Sequence, residues 1–317
     1  MSKILSPQIS LSKHFPSKHV LILKKDFYHQ PYFPFLLVGS YLSYCYGVIG
    51  LRGDHIAMGA LIFVLWYAHP KARQWLLAFL PFLLNWVAYD MMRAFPNYLF
   101  NTVHIADLYA AEKALFGINL DGVRLTPCEF FAIYHHPIFD ALGGLFYLSW
   151  VPVPMGIAAY LWWHSEVAFR RFIAIFLLTN FIGYIGYYTY PAAPPWYIVL
   201  HGTEFIANTS AFPAALTRFD AMFGVSVFSN MYSVGSNVFA AMPSLHSASP
   251  MAAILFGWNY FNSFWGRVCL LSFGTGVWFS AVYLNHHYVL DVLGGMLCAI
   301  LAVLIVIAIE KWRGKPI

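Results

Sequence analysis

His287 and Asp291, in LNHHYVLD (284–291), have the spacing of an imidazole and its orienting carboxylate. A helix beginning near His286 stacks residues four apart on one face, so Asp291 can hold the proton on one ring nitrogen. The other nitrogen is then left as nucleophile or base. Taken alone, the pair reads equally well as a capping histidine beside a buried acid. A second segment, MPSLHS (242–247), has the form of a helix start. Pro243 suits the first turn, and the open amides that follow, from Leu245 onward, favour an anion. The Ser244 hydroxyl can add a hydrogen bond to a phosphate oxygen, and a protonated His246 can donate to a leaving oxygen. The bland alternative is a capping serine with an interfacial histidine. Together, the two segments suit phosphoryl transfer.

The elements that must position these residues are membrane spans. Hydrophobic residues make up 60% of the 317 positions and charged residues 10%, whereas a soluble chain carries about a quarter charged. A span needs about 20 apolar residues. The candidates are 33–51, 55–69, 74–92, 138–162, 168–189, 245–261, 266–284 and 288–309. The second is short, and Pro152 and Pro154 are expected to kink the fourth. Residues 103–117, VHIADLYAAEKALFG, have the pattern of an amphipathic helix lying at the interface. The expected architecture is an all-α polytopic membrane bundle of about eight transmembrane helices, a single membrane domain over 1–317. Within it, 1–32 form a cytoplasmic N-terminal segment, 93–137 an outer-face amphipathic segment and 168–309 the catalytic core.

Placing both termini inside puts 13 of the 18 lysines and arginines on the cytoplasmic side, as the positive-inside rule requires. The five on the outer side are Arg52, Arg93, Lys113, Arg124 and Arg218. The net charge of +5 forms no single patch, so no nucleic-acid partner is expected. Met1 to Gln30 is polar and basic, without the apolar core of a signal peptide. Four scattered cysteines give neither a disulfide framework nor a metal pattern. In this topology YPAAPPW (190–196), MPSLHS and LNHHYVLD converge at the outer boundary, where polar groups tend to be functional. Tyr190, Asn285 and His286 belong to the same rim and are candidates for a substrate pocket.

These residues carry a family resemblance. PSLH resembles the Pro-Ser-Gly-His signature of the type-2 phosphatidic acid phosphatase superfamily, and SAVYLNHHYVLD (280–291) resembles its Ser-Arg-x5-His-x3-Asp signature. The variants PSLHS, HHYxxD and YPxAPPW are most similar to the inositol phosphorylceramide synthase (aureobasidin-resistance) branch. The likeness is specific over about 180–296 and looser upstream, at YDMMRAF (89–95) and YHHPIFD (134–140). It implies a type-2 phosphatidic acid phosphatase-like core and a reaction through a phosphohistidine. His287 would be the nucleophile, Asp291 its partner and His246 the acid for the departing oxygen. Ser244 and the amides of the PSLH turn, Leu245 included, would bind phosphate; no metal or other cofactor is required.

The chain departs from the broad pattern where positive charge is usual. YPAAPPW has no basic residue, Gly183 stands where the first signature has Lys, and Ala281 where the third has Arg. Phosphoryl transfer needs cations or strong donors around the equatorial oxygens. Arg93 is the favoured replacement and Arg218 the second. A further group, Tyr134, His135, His136 and Asp140, could form the acceptor or headgroup pocket, with Asp140 on sugar or inositol hydroxyls; metal binding and plain interfacial polarity are its alternatives.

The leading expectation is a membrane lipid phosphotransferase acting on a phospholipid donor and a lipid alcohol acceptor. By resemblance, these are phosphatidylinositol and a ceramide-type lipid. The runner-up is a lipid phosphate or polyprenyl pyrophosphate phosphatase using the same site with water. A transporter or non-catalytic lipid binder is the third reading, against which stand the intact histidines and the lack of an inverted repeat. The active site would face the periplasm or a lumen, and a regulatory subunit or homo-oligomer is compatible with the sequence.

Overall fold

The computed structural model describes residues 30–235 and 237–316. Lys3, Lys13, Lys18, Lys24, Lys25 and most of the expected 1–32 segment lie outside the described residues. Packing groups the described chain into two compact units, 30–96 and 97–316.

In the first unit, α1 (Phe33–Tyr44), α2 (Gly53–Ala68) and α3 (Pro70–Asp90) pack side by side. Prolines in the first turns of α1 and α3 give up amides that have no partner within the helix there. A π-helical turn, Cys45–Ile49, follows α1, and Gly50 at φ 84° ends it in a conformation that favours glycine. Phe33, Val38, Ile62, Trp66, Leu76 and Leu77 form the shared core. Its polar end is Asp90, which accepts from Arg52 Nη2 at 3.2 Å and lies 3.0 Å from His55 Nε2.

The second unit opens with a 3₁₀ turn, Asn97–Leu99, and α4 (Ala106–Phe116), shorter than the expected amphipathic helix because His104 is held in a bridge to Ala192 and the chain after Gly117 turns into a hairpin. Its strands are β1 (Ile118–Leu120) and β2 (Val123–Leu125), antiparallel with Ile118 opposite Leu125. Asp121 and Gly122, both at positive φ, make the two-residue turn that such hairpins favour. Next come α5 (Pro127–Ile133), α6 (Pro137–Leu148), α7 (Pro152–His164) and α8 (Glu166–Thr189). The outer loop carries α9 (Pro195–His201), α10 (Leu216–Phe223) and α11 (Val227–Ser233). The chain closes with α12 (Leu245–Tyr260), α13 (Phe264–Tyr283) and α14 (Val289–Arg313).

Each candidate span has a helical counterpart. Among the described residues, three helices are long and apolar enough to cross a membrane: Pro70–Arg93, Glu166–Thr189 and Val289–Arg313. The pair Pro137–Leu148 and Pro152–His164 adds a fourth, bent by 44°, where Pro152 and Pro154 were expected to break it. The protein is an integral membrane protein. Helix α12 packs against α14, α13 and α8, and α6 against α13. Small residues permit close approach, as lipid supplies no hydrophobic drive between helices. A Cβ on Gly183 would meet Leu245 Cδ2 at 2.4 Å, and one on Gly186 would meet Pro243 Cδ at 2.5 Å.

Candidate active site

The N-terminus of α12 is capped by its own sequence. The Ser244 hydroxyl accepts from the Ser247 amide at 3.3 Å and from the Ser247 hydroxyl at 3.1 Å. Ser244 also donates its amide to the Asp291 carbonyl at 2.9 Å, which fastens this turn to α14. On α14, Asp291 Oδ2 accepts the Tyr288 amide at 2.9 Å, so the carboxylate caps its own helix. Two segments far apart in sequence are thereby joined by backbone.

The expected catalytic residues meet at this joint. His287 Nε2 is 3.3 Å from His246 Nδ1, and His287 Nδ1 is 3.6 Å from Asp291 Oδ2. His287 Nδ1 and Asp291 Oδ1 are buried with no hydrogen-bond partner among the described residues. Buried polar atoms are rarely left so; the carboxylate oxygen that approaches the ring nitrogen is Oδ2, at 3.6 Å. With Nδ1–H toward Asp291, the Nε2 lone pair of His287 accepts from His246 Nδ1–H. That sets a nucleophile, in the turn before α14 rather than on the helix expected to start near His286, against an acid in the first turn of α12. The His246 ring is held by Tyr147, stacked at 4.5 Å, and by Trp150, tilted at 4.5 Å.

The preceding turn is fixed from several sides. The His286 and His287 amides both donate to the Ala281 carbonyl, at 3.1 and 2.9 Å, and Asn285 adopts φ 63°. His286 is sandwiched by Tyr147 and Tyr232, with Nε2 3.0 Å from the Pro213 carbonyl and Nδ1 3.2 Å from Tyr232 Oη. Burial, then the neighbouring His287, pushes its imidazole down to about 3. Cys128 donates its thiol to the His287 carbonyl at 3.3 Å, and burial raises that thiol well above its ordinary range.

Sequence reasoning missed Glu112. It is fully buried on α4 and accepts the Val289 and Leu290 amides at 2.9 and 3.1 Å. It thus caps α14 from outside and ties the amphipathic segment to the catalytic helix. Burial raises its carboxyl, against the pull of those two amides. An acid within an apolar stretch of VHIADLYAAEKALFG was the available signal. Tyr147 and Trp150 carried none, because aromatic residues are common throughout the chain.

The second expected group gathers apart from the histidine pair. Asp140, buried, accepts from Tyr283 Oη at 2.9 Å and pairs with Arg218 Nε at 2.8 Å and His135 Nδ1 at 3.3 Å. Arg218 also lies over the Tyr283 ring at 5.5 Å. His136 caps α6, its Nδ1 accepting the Ile138 amide, and gives its own amide to Tyr283 Oη at 3.0 Å. Tyr190 stacks on His104, with ring centroids 3.7 Å apart and an interplanar angle of 5°. Arg93 belongs to the first unit, where its Nε lies 3.8 Å from Asp90 Oδ1. The signature positions that lack cations leave no space for them: Leu245 fills the room beside Gly183, and Ala281 is fully buried. Among the described residues no cluster of His, Cys, Asp and Glu could hold a metal ion.

Comparison with known proteins gives the chain its family. The sequence profile of the PAP2 superfamily matches residues 123–305. A phosphoinositol dihydroceramide synthase of Bacteroides thetaiotaomicron is 42% identical over 268 residues, covering 84% of this chain and 88% of the relative. The inositol phosphorylceramide synthase of Candida albicans is 31% identical over 251 residues, 76% of this chain and 50% of that protein. The catalytic subunit of inositol phosphorylceramide synthase from Saccharomyces cerevisiae is 30% identical over 234 residues, 71% and 55%. The chain therefore spans most of the bacterial relative and about half the length of the fungal ones. No solved structure matches it. With the profile covering more than half of the chain, and the bacterial likeness running through most of its length, the chain belongs to the PAP2 superfamily.

Proposed function

We propose that the protein transfers phosphoinositol from phosphatidylinositol to a ceramide-type lipid through a phosphohistidine at His287. The observation that carries this reading is the placement of His287 Nε2 beside His246 with Asp291 behind it, at the start of an amide-rich helix turn. The 42% identity to a phosphoinositol dihydroceramide synthase supports the choice of substrates.

In the first step His287 Nε2 attacks phosphorus, the bond to the diacylglycerol oxygen breaks, and His246 gives that oxygen its proton. In the second, the lipid alcohol loses its proton to His246 and attacks phosphorus, which releases His287. Asp291 holds Nδ1–H and balances the charge that develops on the ring. Ser244, the Leu245 amide and the α12 N-terminus receive the equatorial oxygens. Tyr190, His135, His136 and Asn285 line the headgroup pocket, with Asp140 and His286 holding its wall from behind. No step calls for a metal. The catalytic core lies within 168–309 of a bundle of about eight spans, with both termini cytoplasmic and the site toward periplasm or lumen.

The test is headgroup transfer in proteoliposomes, with labelled phosphatidylinositol and with ceramide present or absent. A new phosphoinositol sphingolipid that vanishes in His287→Ala is expected. Release of soluble phosphate from phosphatidate or polyprenyl pyrophosphate, with no transfer, would overturn the reading in favour of a phosphatase.

A further inference from the structure

Among the described residues, no lysine or arginine forms a hydrogen bond or ion pair with Ser244, His246, His287 or Asp291. The segment leading into α4 brings a different group to this rim. His104 donates its amide to the Pro191 carbonyl at 2.7 Å and accepts the Ala193 amide at 3.0 Å. Ala192 in turn donates to the Phe239 carbonyl at 2.9 Å and accepts the Ala241 amide at 3.3 Å. These contacts form a parallel ladder, His104 beside Ala192 beside Ala240. The third member, Ala240, lies two strand spacings, roughly 10 Å, from His104 and leads into Met242–Ser244.

The ring is aimed by its neighbours. It stacks on Tyr190, which packs against the cluster containing Tyr288 and Val292 on either side of Asp291. Burial, with the charges of Asp107 and Asp291 nearby, raises the Tyr190 hydroxyl. His104 Nδ1 is hydrogen-bonded to Asp107 in the first turn of α4. Burial would raise that carboxyl, but the bond to His104 and the Leu108 amide outweigh it and hold Asp107 below the usual range. A carboxylate on Nδ1 fixes the ring's orientation. Nε2 is left with no partner among the described residues, on a side chain 31% exposed.

We propose that His104 is a phosphate-binding residue of this site, in which an equatorial oxygen of the lipid phosphate takes Nε2–H while Asp107 takes Nδ1–H. The proposal rests on the transferase reading above and adds to it a hydrogen-bond donor where YPAAPPW has no basic residue. Asp107 is a positioning residue, acting through the ring. The amphipathic segment then serves the chemistry twice, through His104 at its beginning and Glu112 along its length.

The test uses the full chain with two probes: labelled phosphatidylinositol for transfer, and orthovanadate for binding, read as a rise in melting temperature without turnover. His104→Gln should lower kcat roughly 10- to 100-fold, as loss of a charge-assisted donor does, and shrink the orthovanadate shift. His104→Lys should restore part of both. Asp107→Asn, which keeps the ring, should weaken both less than His104→Gln. Wild-type transfer and wild-type orthovanadate shift in His104→Gln would overturn the proposal. Should that variant not fold, an unchanged orthovanadate shift in Asp107→Asn and His104→Asn would overturn it equally. If wild-type protein transfers nothing yet binds orthovanadate in a His104-dependent way, the transferase reading fails and the phosphate site stands.

Discussion

Gly295 sits one turn beyond Asp291 on α14, against the turn that begins α12. A Cβ there would lie 2.0 Å from the Ser244 carbonyl oxygen and 2.9 Å from its carbonyl carbon. Ordinary carbon–oxygen contacts are about 3.3 Å or longer, so Gly295→Ala must push this backbone away by about 1.3 Å. Stability is a poor reporter of that shift. Helix propensity favours alanine by about 1 kcal/mol, while overpacking costs about 1–3 kcal/mol, leaving a net loss of about 0–2 kcal/mol. Turnover should respond far more, because Ser244 holds both the cap of α12 and the link to the Asp291 carbonyl. A displacement near 1 Å costs on the order of 100-fold in rate. Gly294→Ala is the matched control: its Cβ would meet Pro243 Cβ at 3.3 Å, which asks for only a few tenths of an ångström. Phosphoinositol transfer at equal folded protein, with thermal melts alongside, measures both. Normal kcat in Gly295→Ala, or equal losses in the two variants, would refute the argument that this contact sets the position of Ser244.

Glu112→Ala strands the Val289 and Leu290 amides and should cost roughly 2–4 kcal/mol together with most of the transfer activity; an unchanged melting temperature would remove Glu112 as the cap of α14. Asp140→Ala leaves the Arg218 guanidinium, 23% exposed, without its carboxylate. A loss of about 3 kcal/mol is expected, at the low end for a broken buried pair because of that exposure, and thermal melts at equal detergent check it. His286 has a folded value of about 3 against an ordinary value of about 6.5. The unfolded chain therefore binds the extra proton between these limits. This contribution to stability is complete above pH about 6.5 and is lost as pH falls toward 3. The melting temperature should drop between pH 7 and pH 5, and drop less in His286→Asn. Equal drops would show that His286 is not the group responsible.

The helices were legible because spans are written in long apolar runs, and the break before Pro152 because proline cannot continue a ladder of helix bonds. His287, Asp291 and His246 were legible because ionisable groups at membrane depth are costly and stand out in composition. Glu112 was not, since its partners are backbone amides, which every residue carries. Nor was the pairing of Asp140 with Arg218, whose order along the chain says nothing of α10 folding back on α6. The stack of His104 on Tyr190 depends on parallel bridges between three loop segments, which leave no periodic mark in any of them. Short elements such as the 118–125 hairpin likewise fall below the length at which hydrophobic period can be read.

The central claim is that His287 carries the phosphoinositol group between donor and acceptor. The most direct test incubates the protein with phosphatidylinositol, withholds the lipid alcohol, and maps modified peptides by mass spectrometry under non-acidic conditions. The account predicts a phosphoinositol adduct on His287 that discharges when a ceramide is added and is absent from His287→Ala. Continued transfer by His287→Ala, or an adduct on another residue that discharges with the same kinetics, would contradict it.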